Sequence, residues 1–206
     1  MSTSAMHVAK TGLTAQQYKM QVIANNLANV NTTGFKMDRA NFESLFYQVV
    51  KNAGAQTADN TSLTSPLAVG TGVKVVSTQK LFTQGGLAST DNALDLAIDG
   101  KGFFQALLPD GRVGYTRSGI LSRNGDGLLT TTSGYVIQPQ IQIPADATSI
   151  NISSSGIVSV TTPGNDIGQE VGQLSLANFS NPRGLTPVGE NFWVETWERG
   201  VVTTGY

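Results

Sequence analysis

The sequence predicts a mixed α and mainly β protein: a long amino-terminal amphipathic helix, an extended arm, then an all-β domain of short antiparallel strands. Three observations predict it. Between Met6 and Val30 the apolar residues recur at heptad spacing, the mark of a helix whose stripe faces another helix. From Asn52 to Val69 periodicity disappears into small and polar residues. From Val73 onward the period is two, with Gly, Pro and Asn turn clusters between short apolar runs. The implied domains are 1–35 (assembly helix), 36–72 (short helix and arm) and 73–206 (β domain).

In the helix, Met6, Leu13, Met20 and Leu27 hold one seam position; Ala9, Ile23 and Val30 hold the other, where Gln16 alone breaks the pattern. Hydroxyls in Ser2-Thr3-Ser4 can cap its start, and Gly34 tolerates a left-handed stop. The other side is unusual, because no charged residue occurs from Met20 to Phe35. Asn25 and Asn29 sit side by side there, with Asn26 on their shoulder. A solvated face is normally rich in Lys and Glu, and Asn is a poor helix former. The helix therefore reads as packed on more than one side, its amides hydrogen-bonded to neighbours. The plainer alternative is an ordinary amphipathic helix lying on its own domain.

After Gly34, residues Phe42, Leu45, Phe46, Val49 and Val50 follow one helical face and predict a short second helix, although aromatic and β-branched residues also suit a strand. The stretch up to Val69 reads as an extended arm. Gly70-Thr71-Gly72 lacks a following glycine-rich turn or P-loop lysine, so a tight turn explains it better than phosphate binding.

Val73–Val75, Lys80–Phe82 and Leu94–Ile98 read as the first strands. Phe103–Leu108 and Arg112–Thr116 form a hairpin about Pro109-Asp110-Gly111, in which proline sets φ, Asp bonds back to its own backbone and Gly takes positive φ. Asn124-Gly125-Asp126-Gly127 marks a second hairpin. Further strands are expected at Tyr135–Gln138, Ile141–Ile143, Ser149–Ile152, Ile157–Val160, Val171–Leu176 and Phe192–Glu195.

Composition narrows the function. Charged residues are 13% of the chain, about half the usual ~25%, and the net charge is −1, which points to neither nucleic acid nor an anionic membrane. There is no cysteine, hence no disulfide framework or thiolate metal site. No apolar run reaches the roughly 18 residues of a transmembrane helix, and the amino terminus does not read as a cleavable signal peptide. No catalytic constellation emerges. Asp91, Asp95 and Asp99 would share a face only on a helix, against their strand-like alternation. Asn124–Gly127 lacks the further oxygen ligands of a calcium loop. His7 is the one histidine and has no carboxylate partner nearby in sequence. The reading is thus no cofactor, no metal and no small-molecule substrate. Phe103-Phe104 and Tyr115-Thr116-Arg117 are either an interface hot spot or a core with one snorkelling arginine.

Several motifs together resemble one family. Ala24–Lys36, ANNLANVNTTGFK, resembles the amino-terminal signature of the bacterial flagellar rod and hook proteins. Asp91–Gln105, DNALDLAIDGKGFFQ, is similar to the segment that opens their β domain. Leu81–Leu87, Leu108–Gly111, Tyr115–Gly119 and Ile141–Ala147 are most like the distal-rod branch. The match runs from about Met6 to Glu195. It implies a non-enzymatic subunit exported through the flagellar export apparatus without a cleaved signal peptide. Such a subunit polymerises helically in the rod that crosses the periplasm and transmits torque to the hook. Implied partners are further copies of itself, other rod and hook proteins, and the rings around the rod. Carried over, Asn25, Asn26, Asn29, Gly34 and Phe35 fall in the assembly signature, beside the seam residues Leu13, Met20, Ile23, Leu27 and Val30. Gly100, Gly102, Phe103 and Phe104 fall in the β-domain signature, with Tyr115 and Arg117 close by.

Members of that family end in a second amphipathic helix, whereas VVTTGY after Gly200 shows no helical period. The expectation is therefore a fragment or frameshifted product, monomeric, with an amino-terminal helix left mobile for want of a partner. Pairing in trans is the alternative. A proximal-rod or hook-type subunit is the second reading within the family, and a secreted β-domain hydrolase is the reading from another class.

Overall fold

A computed structural model describes the whole chain except Met1, Gly54, Ala55, Asp59, Asn60, Leu63, Thr64, residues 198–201 and Tyr206. Two compact units emerge: Met1–Val30 with Met37–Leu81, and Asn31–Lys36 with Phe82–Tyr206.

The first unit is a helix on a two-stranded ribbon. Helix α1 covers Ser2–Ala28, and the amides of Asn29 and Val30 continue its last turn by donating to Asn25 and Leu27 carbonyls. Strand β1 (Asp38–Ser44) is followed by β2 (Tyr47–Lys51), β3 (Gln56–Ala58), β4 (Thr61–Ser62), β5 (Leu67–Gly70) and β6 (Val73–Lys80). β1 pairs antiparallel with β6, Asp38 opposite Lys80 and Ser44 opposite Val73, with one bulge at Asn41/Phe42. The Lys80 ammonium lies 2.9 Å from Asp38 Oδ2 and closes that end. The ladder continues through Leu45 N–H to Gly72 O and Thr71 N–H to Phe46 O, then into β2–β5 and β3–β4.

The short helix expected at 42–50 is therefore corrected to strand. The β-branched and aromatic residues prefer the ladder that the following segment supplies, and pairing with it overrides the helical spacing. The arm is likewise a paired ribbon where it is described.

The face by which α1 meets β1 and β6 is not the heptad seam. Val8, Thr11, Ala15, Tyr18, Val22 and Asn26 are the shielded positions, and Ala15 is the most buried at 7% exposed. They too recur every three or four residues, roughly a third of a turn round the helix from the seam. Small side chains let the backbones approach: a Cβ on Gly72, whose φ is +124°, would come within 2.3 Å of Thr11 Oγ1. That hydroxyl accepts from Val73 N–H at 3.4 Å. α1 is thus held along one face within the chain, where a partnerless helix was expected, while its heptad seam stays exposed.

The second unit holds β7 (Phe104–Leu107), β8 (Val113–Thr116), β9 (Leu121–Arg123), β10 (Leu129–Thr131), β11 (Ile137–Gln138), β12 (Ser149–Ile152), β13 (Ile157–Thr162), β14 (Asn165–Gln173), β15 (Leu176–Phe179), β16 (Thr186–Gly189), β17 (Phe192–Val194) and β18 (Val202–Gly205). A five-stranded sheet runs β11-β7-β8-β17-β16, a three-stranded one β12-β13-β14, and β9–β10 and β15–β18 are pairs. All pairings are antiparallel, as the sequence predicts. One core gathers Leu129, Ile137, Ile141, Ile143, Val158 and Val160, each at most 1% exposed. Burying one such side chain is worth about 1.5–3 kcal/mol. A second core, described below, is aromatic.

The Pro109-Asp110-Gly111 turn forms as expected. Gly111 takes φ +79°, and Asp110 Oδ1 accepts from Arg112 N–H at 3.0 Å. At the second turn Asn124 Oδ1 accepts from both Asp126 and Leu128 amides, and Gly127 takes φ +82°. Four details differ. Val73–Lys80 is one continuous strand. Leu94–Ile98 is irregular, joined through Leu96 N–H to Gly119 O and the Asp95–Ile120 bridge. Ile141 and Ile143 are buried without forming a strand of their own, Ile143 N–H donating to Gly127 O, and Val171–Leu176 is divided, with β14 ending at Gln173 and β15 beginning at Leu176. The chain's end is a strand, β18 on β15, in keeping with its lack of helical period. No described helix is long and apolar enough to cross a membrane.

Candidate assembly surface and its anchor

On α1 the predicted seam points to solvent. Leu13 is 73% exposed, Met20 64%, Ile23 54%, Leu27 70% and Val30 69%, with Met6 at the head of the row. A solvated helix does not ordinarily carry an apolar row of that length, interrupted here only at Gln16, and this makes the row a candidate contact surface. It stands ready because the helix is held from behind by the ribbon.

The asparagines divide the work. Asn26 turns inward: its Nδ2 donates to Asp38 O and its Oδ1 accepts from Asp38 N–H, both at 2.9 Å. Asn29 turns back along the helix and donates to the Asn25 carbonyl at 2.9 Å and to Asn25 Oδ1 at 3.2 Å. Asn25 itself is exposed. Amides pairing with neighbours, as the sequence suggests, is seen at Asn26 within the chain.

The end of the signature serves another purpose. Asn31–Lys36 belongs to the second unit and is fastened into it. Asn191 Nδ2 donates to Thr33 O at 3.2 Å, and Lys36 Nζ donates to Thr83 O at 2.7 Å. Gly34 takes φ +75° against the chain at Arg117–Ser118, where a Cβ would lie 2.6 Å from Ser118 N. Phe35 beside it is half-buried. The Gly34-Phe35-Lys36 end is thus an anchor.

The β-domain residues meet around one ring. Phe103 is 2% exposed and packs edge-on against Phe82, Phe179 and Trp193 at centroid distances of 5.7, 5.5 and 5.8 Å. Tyr115, 3% exposed, meets Phe179 at 4.7 Å and shares a hydrogen bond with Glu195. Gly102, with φ +135°, lets Leu176 close over the backbone. Phe104 is 4% exposed. Phe103, Phe104 and Tyr115 therefore pack the unit's interior, which corrects their assignment to an interface: a surface hot spot needs an accessible ring, and these are used up within the chain.

Arg117 is the member that stays half-exposed. Its Nη2 donates to Gly100 O at 2.8 Å, its Nη1 reaches Gln84 Oε1 at 3.4 Å, and its Cζ stands 5.2 Å from the Phe103 centroid. Burial lowers the pKa of this guanidinium from its usual range. Burial, and then the charge of Arg117, lowers that of the Lys36 ammonium. Two buried donors here, Arg117 Nε and Trp193 Nε1, have no acceptor.

Sequence reasoning passed over the inner stripe of α1, because Thr11, Ala15 and Tyr18 carry little apolar signal. Lys36 and Gln84 went unread for the same reason, and Trp193 because its ring partners Phe82 and Phe103 are distant in sequence. Among the described residues no group of three or more His, Asp or Glu is placed to hold a metal. The open cleft of about 500 Å³ beside the Asn124 turn is lined by that turn and by Gln142–Ala145. Its one described carboxylate, Asp126, faces no histidine.

An exposed apolar helix row of this kind fits a structural, assembling type of protein. Comparison with known families agrees. Residues 6–36 match the family described as "Flagella basal body rod protein", and residues 97–160 match "Flagellar hook protein FlgE/F/G D1 domain". The flagellar basal-body rod protein FlgG of Buchnera aphidicola is 50% identical over 196 residues, 95% of this chain and 75% of the relative. FlgG of Caulobacter vibrioides is 46% identical over 97% of this chain and 76% of its own length. The hook protein FlgE of Helicobacter pylori is 36% identical, covering 82% of this chain but 24% of its own. The chain belongs to the flagellar basal-body rod protein family.

Proposed function

We propose that this protein is a structural subunit of the distal rod in the flagellar basal body. In this reading it acts by rigid packing and catalyses no reaction. It polymerises helically with further copies and carries torque to the hook. The exposed row Leu13–Met20–Ile23–Leu27–Val30 carries the reading, since covering such a row with another apolar surface takes it out of water and so favours association. Similarity to relatives named as basal-body rod proteins, over almost the full chain, supports it. Other rod and hook proteins are its neighbours along the axis, the rings enclose it in the periplasm, and the export apparatus delivers it without a cleaved signal peptide. The proximal rod is the alternative place in the same structure.

Size-exclusion chromatography with light scattering tests this reading. The chain is compared with itself carrying Met20→Lys, and with a form extended by an amphipathic helix. Association that Met20→Lys abolishes and the added helix strengthens is the expected result. Equal masses in all three would contradict it.

A further inference from the structure

We propose that Arg117, backed by Lys36, is a docking point for a carboxylate on a second copy of this chain; this rests on the assembly reading above. A guanidinium has five N–H donors in a rigid fork matched to a carboxylate. In Arg117 one goes to Gly100 O and one, at the long distance of 3.4 Å, to Gln84 Oε1. Both acceptors are neutral. Nε is buried with no acceptor, and the Phe103 ring fixes the plane from one side. The side chain is therefore held in one orientation while donors on its terminal nitrogens stay open.

Electrostatics runs the same way. Burial withdraws solvation from Arg117, and the neighbouring cation Lys36 adds repulsion. Among the described residues no carboxylate is within ion-pair distance of Arg117; the ion pairs found there use Glu43, Asp38 and Asp110. A half-desolvated cation without an anion is costly, and an entering carboxylate removes that cost. The chain has the anions to offer: Asp91, Asp126, Asp146 and Glu170 are exposed and outside those ion pairs. A copy of the chain thus supplies the complementary charge.

The test is charge reversal in the full chain, read by sedimentation velocity over a range of concentration and NaCl. Arg117→Gln is expected to weaken association roughly thirtyfold or more and to flatten its salt dependence. Arg117→Glu should abolish association, and mixing it with a chain reversed at the cognate acid, one of Asp91→Lys, Asp126→Lys, Asp146→Lys or Glu170→Lys, should restore it. Unchanged association in Arg117→Gln overturns the proposal, while loss of association in Leu13→Lys in that same series leaves the assembly reading standing. An unaltered chain that stays monomeric overturns both. Should the Arg117 variants fail to fold, the unaltered chain decides by NMR of the Arg117 side-chain N–H groups. A shift and slowed exchange on association support the docking point, and an unmoved signal overturns it.

Discussion

The side-chain amide of Asn26 is bonded at both ends to the peptide groups of Asp38, donating to its carbonyl and accepting from its N–H, each at 2.9 Å. Asn26 thereby stands in for a strand neighbour: it satisfies the first residue of β1 with the two bonds that another peptide would make. Neither near relative of its side chain reproduces this, since Asp lacks the donor and Gln is a methylene longer.

Replacing Asn26 with Ala should therefore destabilise the first unit by about 1–3 kcal/mol, the cost of leaving half-buried peptide groups without partners. Asn26→Asp should be at least as harmful, because it keeps the acceptor but sets a carboxylate oxygen against the Asp38 carbonyl. Amide exchange in β1 and α1 measures it. Unchanged protection in both variants would show that the helix is held by Thr11 and Ala15 alone.

Gly34→Ala tests the anchor. The residue must hold φ +75° with its Cβ direction aimed into the Arg117–Ser118 backbone. The conformation alone costs of order 1–3 kcal/mol, and the collision adds to it. Thermal unfolding of the second unit should fall accordingly. Gly85→Ala, where no neighbour stands within 4 Å, serves as the control and should change little.

Lys36 gives the second unit a pH signature. Its pKa is lowered in the folded chain, from 10.5, so folding disfavours its charged form. Below the folded value the penalty is fully present. As pH rises through that value toward 10.5 the folded chain loses the proton first, the penalty fades and stability gains. Unfolding free energy relative to Lys36→Met should therefore climb across that alkaline window. Parallel curves would mean the ammonium is solvated better than its burial implies.

Phe103→Ala should cost roughly 3–5 kcal/mol, because the ring is the common partner of Phe82, Phe179, Trp193 and the Arg117 cation. Urea unfolding followed by Trp193 fluorescence reports it directly.

These residues also show what the sequence made legible. The seam could be read because leucine and methionine at heptad spacing are a strong signal, and the β turns because Asp110 and Asn124 carry their mechanism in their side chains. The side on which the helix rests was not, since Thr11, Ala15 and Tyr18 matter through closeness to Gly72 and β6, a long-range fact. Residues 42–50 were misread because their spacing is that of a helical face, while the pairing of β1 with β6 and β2 with β5 that makes them strands is a long-range fact. Phe103 and Tyr115 were ambiguous because an aromatic beside an arginine looks alike in a core and at an interface; only burial separates the two.

The central claim is that the Leu13–Val30 row is an assembly face. The chain has no cysteine, so single cysteines placed along α1 report contact without background. Interchain disulfide yield would be measured for Leu13→Cys, Met20→Cys and Leu27→Cys against Gln17→Cys and Gln21→Cys off the row. The account predicts rapid cross-linking at the three row positions and slow cross-linking at the two controls. Equal yields at all five, or yields confined to the controls, would contradict it and move the contact to another surface.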